Sequence, residues 1–356
     1  AVEDGPSVLE LFHGPTLAFK DFGARFLARV FGYLLGERGD EATVLVATSG
    51  DTGSAVAQGF SGVPHVRVVV LYPAGKVTPF QEAQMATVGG NVQALRVPGS
   101  FDDCQRLVKQ AFLDPRLRDL HLSSANSINI GRLLPQAVYY VGAWLQVAGA
   151  RGASQVVFVV PSGNLGNLTA GVIAQRLGLP VERFVAASNV NDVLPEYLLT
   201  GTYRPRPPIP TRSNAMDVGD PSNFVRLSAL HGDSLAGMRR NLSGFAIGEE
   251  ETRATIRDVH GKAGYVLDPH GAVGYAGGRR YLAGAAGGGR GATARAPVVV
   301  LATAHPAKFG ETIREELGFV PGLPEAYRGW EDRPLLSQAL GDTSDQGFRR
   351  WLLETR

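Results

Sequence analysis

Lys20 stands in the run Leu11-Phe12-His13-Gly14-Pro15-Thr16-Leu17-Ala18-Phe19-Lys20-Asp21-Phe22-Gly23, in a chain where only 5 of 35 basic residues are lysine. Arginine has taken nearly every ordinary surface cation position, so a lysine kept between Phe19 and Phe22 asks for a reason. An ammonium in apolar surroundings loses solvation, and the neutral amine that results is a nucleophile. Such an amine forms a Schiff base with an aldehyde, and pyridoxal phosphate is the commonest aldehyde cofactor. The alternative is a lysine whose stem packs on the two rings while its head reaches water. On this segment alone that second reading is the better one.

Three further clusters carry glycine, hydroxyl and amide groups. Ser162-Gly163-Asn164-Leu165-Gly166-Asn167 falls between a strand and a helix. Glycines let successive N–H groups point at one spot, and the helix start adds positive potential, so the loop suits one phosphate group. It is neither a Walker A loop nor a Gly-x-Gly-x-x-Gly dinucleotide pattern, and glycine-rich turns of this kind are common. Thr48-Ser49-Gly50-Asp51-Thr52-Gly53-Ser54 has the same geometry; it could hold a carboxylate, or simply cap a helix. In Ser127-Ile128-Asn129-Ile130-Gly131-Arg132 the guanidinium could fork onto an anion. Taken in isolation, Arg132 reads better as a surface residue at the start of a helix Leu133–Val147. Thr303 ends a strong strand and could face a ring nitrogen or cap a turn. The seven histidines and the single Cys104 show no metal-ligand spacing, so no metal is expected. Gly-x-Ser-x-Gly and Ser-x-x-Lys are absent, which weighs against two serine-nucleophile classes.

These clusters must be held by something, and the strands that hold them are readable. Thr43–Ala47, Val66–Leu71, Val156–Val160, Phe184–Ala187 and Val298–Ala302 are short, β-branched apolar runs, as expected of parallel strands buried on both faces. Each ends in small polar residues, and helical patterns follow, as at Phe80–Val88, Asp102–Phe112 and Leu168–Leu177. Strand, polar turn and helix in repetition mean an α/β chain with open, mostly parallel twisted sheets and crossover helices. Ligands bind such sheets beyond the carboxyl ends of the strands. The stretches 204–210, rich in proline, and 284–291, rich in glycine, read as loops, and a change of domain is expected near Gly149–Ser154. With 356 residues, 44% hydrophobic and 19% charged, the chain is long enough for two domains. A net charge of +2 gives no nucleic-acid or membrane surface. One cysteine suits a reducing, cytoplasmic setting.

Taken together the segments resemble the threonine synthase family, in the branch found in many bacteria and in fungi. The matching runs are Leu9–Gly23, Ala47–Gly53, Asn126–Asn129, Pro161–Asn164, Asn189–Asp192, Ser213–Val218 and Thr303–Phe309, in the family's order. The resemblance implies the tryptophan-synthase-β-like fold of pyridoxal-phosphate enzymes, fold type II. It implies a large cofactor-binding domain of residues 1–44 and 151–356 and a smaller α/β domain of residues 45–150. Family members carry several dozen more residues ahead of the lysine motif, so that segment is expected to be missing.

The implied reaction converts O-phospho-L-homoserine and water to L-threonine and phosphate. Carried over by motif, Lys20 looks like the Schiff-base lysine and local base. Ser162, Gly163, Asn164, Leu165, Gly166 and Asn167 look like the cradle of the cofactor phosphate, and Thr303 like the partner of the pyridine nitrogen. Asp51 would approach the cofactor's phenolic oxygen, where many relatives in the wider fold group have Asn. Ser49, Gly50 and Thr52 would hold the substrate carboxylate, and Ser127, Asn129 and Arg132 the substrate phosphate. A monomer or a homodimer is compatible with this reading. The rival readings are a phospholyase or dehydratase on the same cofactor, giving a keto acid, and a non-catalytic anion- or nucleotide-binding α/β protein. Borohydride reduction followed by mass spectrometry of the tryptic digest should place a pyridoxyl adduct on the Lys20 peptide. An adduct on Lys76, Lys109, Lys262 or Lys308 instead would overturn the lysine assignment.

Overall fold

β-Branched runs with no polar interruption cannot leave either face in water, so they pair side by side under helices. The computed structural model, which describes residues 5–48, 50–287 and 296–355, shows this arrangement twice. Its strands are β1 (Ser7–Glu10), β2 (Ala42–Ala47), β3 (Val66–Pro73), β4 (Val92–Val97), β5 (Leu122–Ser124), β6 (Val156–Pro161), β7 (Val181–Ser188), β8 (Leu242–Ala246), β9 (Val298–Ala302) and β10 (Gln338–Ala339). They form two five-stranded sheets, ordered β1-β9-β6-β7-β8 and β10-β4-β3-β2-β5. Every pairing is parallel. Every residue of β2, β6 and β9 is buried.

By backbone proximity the chain divides into two compact units, residues 1–13 with 133–322 and residues 14–132 with 323–356. The joins therefore differ from the expected 44/45 and 150/151. The helix Lys20–Arg38 joins the second unit because glycine removes the obstacle to close packing there: a Cβ at Gly59 would lie 3.1 Å from the Ala24 backbone. The C-terminal stretch also belongs to that unit, not to the one expected. Its helix Asp345–Glu354 lays Phe348 and Leu352 into the core formed by Leu45, Leu71, Leu95 and Leu107. Arg67 fixes the end of that helix, donating through Nη1 to Leu352 O at 2.9 Å.

The helix expected over Leu133–Val147 is broken. Pro135 forces a 3₁₀ turn, Leu134–Gln136, between a single turn Ile130–Leu133 and the helix Ala137–Arg151. The latter runs through the first half of the expected small-residue link at 149–154. Residues 204–210 have no regular structure, as expected. Of the expected loop 284–291, residues 284–287 finish the helix Pro269–Gly287, and the remainder lies outside the described residues. Cys104 is buried, which pushes its thiol up to about 12. No helix among the described residues is long and apolar enough to cross a membrane.

Phe348→Ala should cost about 3–5 kcal/mol, the usual range for emptying an aromatic core position. Hydrogen exchange should show protection lost in β3 and β4 and kept in β6 and β7; equal loss in both sheets would contradict the division into units.

Candidate active site

In the unit of residues 14–132 and 323–356, Lys20 opens the helix Lys20–Arg38, with its Nζ 5.9 Å from the centroid of the Phe19 ring. Phe22, the other flanking ring, is 42% exposed. Asp21 is buried, and its carboxylate accepts Thr16 N at 2.8 Å and Thr16 Oγ1 at 2.7 Å. Gly14 makes this possible, since a Cβ there would sit 2.4 Å from Asp21 Oδ2. The turn before Lys20 is thus closed by its own neighbour.

The segment after β5 lies against the same helix. A Cβ at Gly23 would meet Arg132 O at 2.5 Å, and one at Gly131 would meet Leu27 Cδ1 at 2.9 Å. Arg132 is buried, not at the surface. It donates to Ala125 O, and burial pulls its guanidinium down to about 10 while the charge of Asp21 opposes the shift. It therefore stays cationic at neutral pH. Asn129 builds the turn itself, donating to Ser124 O at 2.9 Å and accepting Gly131 N at 3.0 Å.

β2 leads into the loop that starts the helix Asp51–Phe60. Thr48 Oγ1 accepts Gly50 N at 3.0 Å and Gly53 N at 2.8 Å, so the hydroxyl before the helix caps it. Gly50 has φ 140°, where a side chain is strained, and a Cβ there would lie 2.5 Å from the Gln81 amide. Asp51 is buried and accepts Gln81 Nε2 at 2.9 Å. Thr52 is half-buried; Ser49 lies outside the described residues.

Gln81 and Gln84 escaped sequence reasoning. Thr78-Pro79-Phe80-Gln81 is a capping box, readable as a helix start. Nothing in that signature shows that the Gln81 amide also reaches Asp51, or that Gln84 Nε2, one turn later, donates to Thr16 O at 3.1 Å. One short helix therefore steadies both the Gly50-Asp51 loop and the turn before Lys20.

In the unit of residues 1–13 and 133–322, β6 delivers Ser162, whose N–H donates to Ala187 O at 2.8 Å and whose Oγ donates to Val160 O at 2.8 Å. From there to Thr169, the N–H groups of Gly163, Leu165, Gly166 and Asn167 donate to no backbone carbonyl among the described residues. Leu165 adopts φ 61°, a left-handed conformation rare outside glycine, as the residue before the helix Gly166–Arg176. Gly163 is packed flat: a Cβ would lie 2.6 Å from Met216 Cα. Asn164 Oδ1 accepts Ser222 N at 2.6 Å and Ser222 Oγ at 2.9 Å. Asn167 Oδ1 accepts the Tyr139 and Tyr140 hydroxyls at 2.6 and 2.7 Å, while its buried Nδ2 has no partner among the described residues. Burial raises both tyrosines well above their ordinary values, so both remain donors. N–H groups without a backbone acceptor, a left-handed residue and a buried amide nitrogen lacking a partner among the described residues fit a bound phosphate. Thr303 is buried directly after β9. No group of His, Cys, Asp and Glu side chains among the described residues could hold a metal ion.

Residues 8–303 match the family described as pyridoxal-phosphate dependent enzyme, and residues 271–345 the family described as threonine synthase, C-terminal. The threonine synthase of Serratia marcescens is 47% identical over 340 residues, covering 95% of this chain and 76% of its own length. This chain belongs to the threonine synthase family. The Escherichia coli threonine synthase is 46% identical over 340 residues, with the same coverage. Among solved structures, threonine synthase from Brucella melitensis with pyridoxal phosphate bound has a TM-score of 0.88 at 40% identity, covering 98% of this chain and 78% of that one. A threonine deaminase from Solanum lycopersicum, 15% identical with a TM-score of 0.64, shares the fold. Pyridoxal phosphate is the cofactor of the family to which the chain belongs.

Gln81→Leu should cost about 1–3 kcal/mol by withdrawing a donor from a buried carboxylate, read as a lower thermal midpoint. Gln81→Glu sets a second carboxyl beside Asp51 and raises the folded-state pKa of the pair. Its deficit should therefore be small at acid pH and grow as pH rises through the carboxylate range above about 4. A pH-independent deficit would contradict this placement.

Proposed function

We propose that this chain converts O-phospho-L-homoserine and water to L-threonine and phosphate, with Lys20 as both tether and proton carrier. The observation that carries the reading is that one family match, residues 8–303, runs through Lys20, the Ser162–Asn167 cradle and Thr303. When bound, pyridoxal phosphate supplies the electron sink that makes protons on the substrate carbons removable.

Lys20 Nζ would hold the cofactor aldehyde. With its amine free, it would take the Cα proton and carry protons among Cα, Cβ and Cγ. The N–H groups of the Ser162–Asn167 run would hold the cofactor phosphate without a basic side chain, and Thr303 would offer a neutral hydroxyl to the pyridine nitrogen. Asp51, oriented by Gln81, is assigned to the phenolic oxygen. Ser49, Gly50 and Thr52 bind the substrate carboxylate. Ser127, Asn129 and Arg132 serve the substrate phosphate. Because the Asn129 amide already bridges Ser124 and Gly131, its part is to shape the turn. Arg132 contributes a fixed buried charge whose field Asp21 tempers. A cytoplasmic enzyme acting on this small molecule, as monomer or homodimer, completes the reading.

Lys20→Ala should lower kcat by about 10²–10⁴-fold or more, the range attributed to a positioned acid–base group, while the protein remains folded. Purified protein given O-phosphohomoserine should release threonine with phosphate. Release of 2-oxobutyrate in place of threonine would establish a phospholyase and overturn the proposal.

A further inference from the structure

We propose that Asp268 and His270 form a positioning pair that holds the Ala215–Met216 backbone against Gly163 and so sets the shape of the phosphate cradle. This rests on reading Ser162–Asn167 as the site of the cofactor phosphate. Neither residue belongs to the cradle itself.

Both side chains are buried, at 2% and 3% exposure. Asp268 stands before the helix Pro269–Gly287. Its Oδ1 accepts Gly271 N at 2.9 Å, and its Oδ2 accepts His270 N at 3.0 Å and lies 2.7 Å from His270 Nδ1. On the far side of the ring, Ala215 N–H donates to His270 Nε2 at 3.2 Å. A carboxylate accepts, so Nδ1 carries the proton; a backbone N–H donates, so Nε2 carries the lone pair. The two contacts specify one neutral tautomer between them. The Phe309 ring, 5.0 Å away between centroids, packs beside the imidazole.

What His270 holds is the 3₁₀ turn Asn214–Met216. Immediately after it, Asp217 Oδ1 accepts Asn189 Nδ2 at 2.8 Å, Asn191 Nδ2 at 3.2 Å and Thr211 Oγ1 at 2.7 Å. The turn is therefore pinned at both ends, by His270 at Ala215 and by the loop after β7 at Asp217. Its middle presses on the cradle: a Cβ at Gly163 would lie 2.6 Å from Met216 Cα and 3.2 Å from Ala215 O. The contact is backbone on backbone, so no side-chain rotation can absorb slack. The helix that follows Asp268 is also close-set, since a Cβ at Gly274 would lie 3.1 Å from Pro161 Cγ, directly before Ser162.

Helix capping alone does not need the acid. Asn caps a helix start as well as Asp does, but a neutral amide at 268 can donate to Nδ1. That favours the Nε2–H tautomer and sets donor against donor at Ala215. Asp268→Asn thus separates capping from positioning.

The test titrates apoenzymes with pyridoxal phosphate and with pyridoxal, which lacks the phosphate. Wild type should bind the phosphorylated form far more tightly, and Gly163→Ala should remove most of that preference. Asp268→Asn and His270→Leu should each weaken pyridoxal phosphate about tenfold, the worth of roughly one hydrogen bond, with pyridoxal binding unchanged. His270→Gln, whose amide oxygen can accept Ala215 N–H, should restore most of the affinity. If His270→Leu does not fold, Asp268→Asn decides. Unchanged preference in folded Asp268→Asn, or an equal loss for both ligands, overturns the positioning pair while leaving the cradle standing. A Gly163→Ala variant that keeps the full preference would overturn the cradle reading, and the pair with it.

Discussion

Val157 pairs with Arg183 on one side and Val298 on the other, and Val159 pairs in the same way with Val185 and Val300. Three parallel strands in this register must end together, and the chain must leave them at one edge of the sheet. Ser162, Asn189 and Thr303 follow β6, β7 and β9, so their grouping is a consequence of hydrogen-bond register before any side chain is considered. The other sheet repeats the logic. β2 and β5 are neighbours, and Asn126 Nδ2 donates to Ala47 O at 3.0 Å, stitching the two loops at the point where the strands end.

A second regularity is how the chain treats buried acids. The buried Asp21, Asp51 and Asp268, and the half-buried Asp217, each accept hydrogen bonds from a loop or helix beside them: from Thr16, Gln81, the backbone at 270–271, and Thr211 with two asparagines. An unpaired buried carboxylate would be costly. Paired in this way, each acid fixes a loop instead. For Asp217, desolvation pushes the carboxyl up, and the donors from Thr211 and Asn189 oppose that. The same residues that could have been liabilities become the pins of the loops at the strand ends.

What the sequence disclosed was local. Lys20, the glycine-rich turn at 162–167 and the five longest apolar strands announce themselves within a few residues of their own neighbourhood. β4 escaped because Gln93 and Arg96 interrupt its apolar run; β5 and β10 are too short to show a period. Arg132 looked like a surface residue because a guanidinium usually is one, and its burial depends on Gly23, over a hundred positions earlier. Gln81 reaches Asp51 across 30 residues and Ala215 reaches His270 across 55, distances at which spacing carries no message. The joins between units were hidden for a related reason: the chain leaves the second unit near residue 132 and returns to it near 323, and composition does not change at either place.

The helix Pro269–Gly287 holds six glycines in 19 residues. Each weakens an isolated helix by roughly 1 kcal/mol relative to alanine, so this segment has no reason to coil by itself in water. Its close seating on Val159, Ala187 and Val300 supplies what its own backbone lacks. During synthesis β6 and β7 emerge before it, but β9 emerges after it. The segment must therefore wait, unstructured, until residue 302 has been made and β9 has slotted between β1 and β6. Order in this helix, and in whatever its first turn holds, arrives late in the life of the nascent chain.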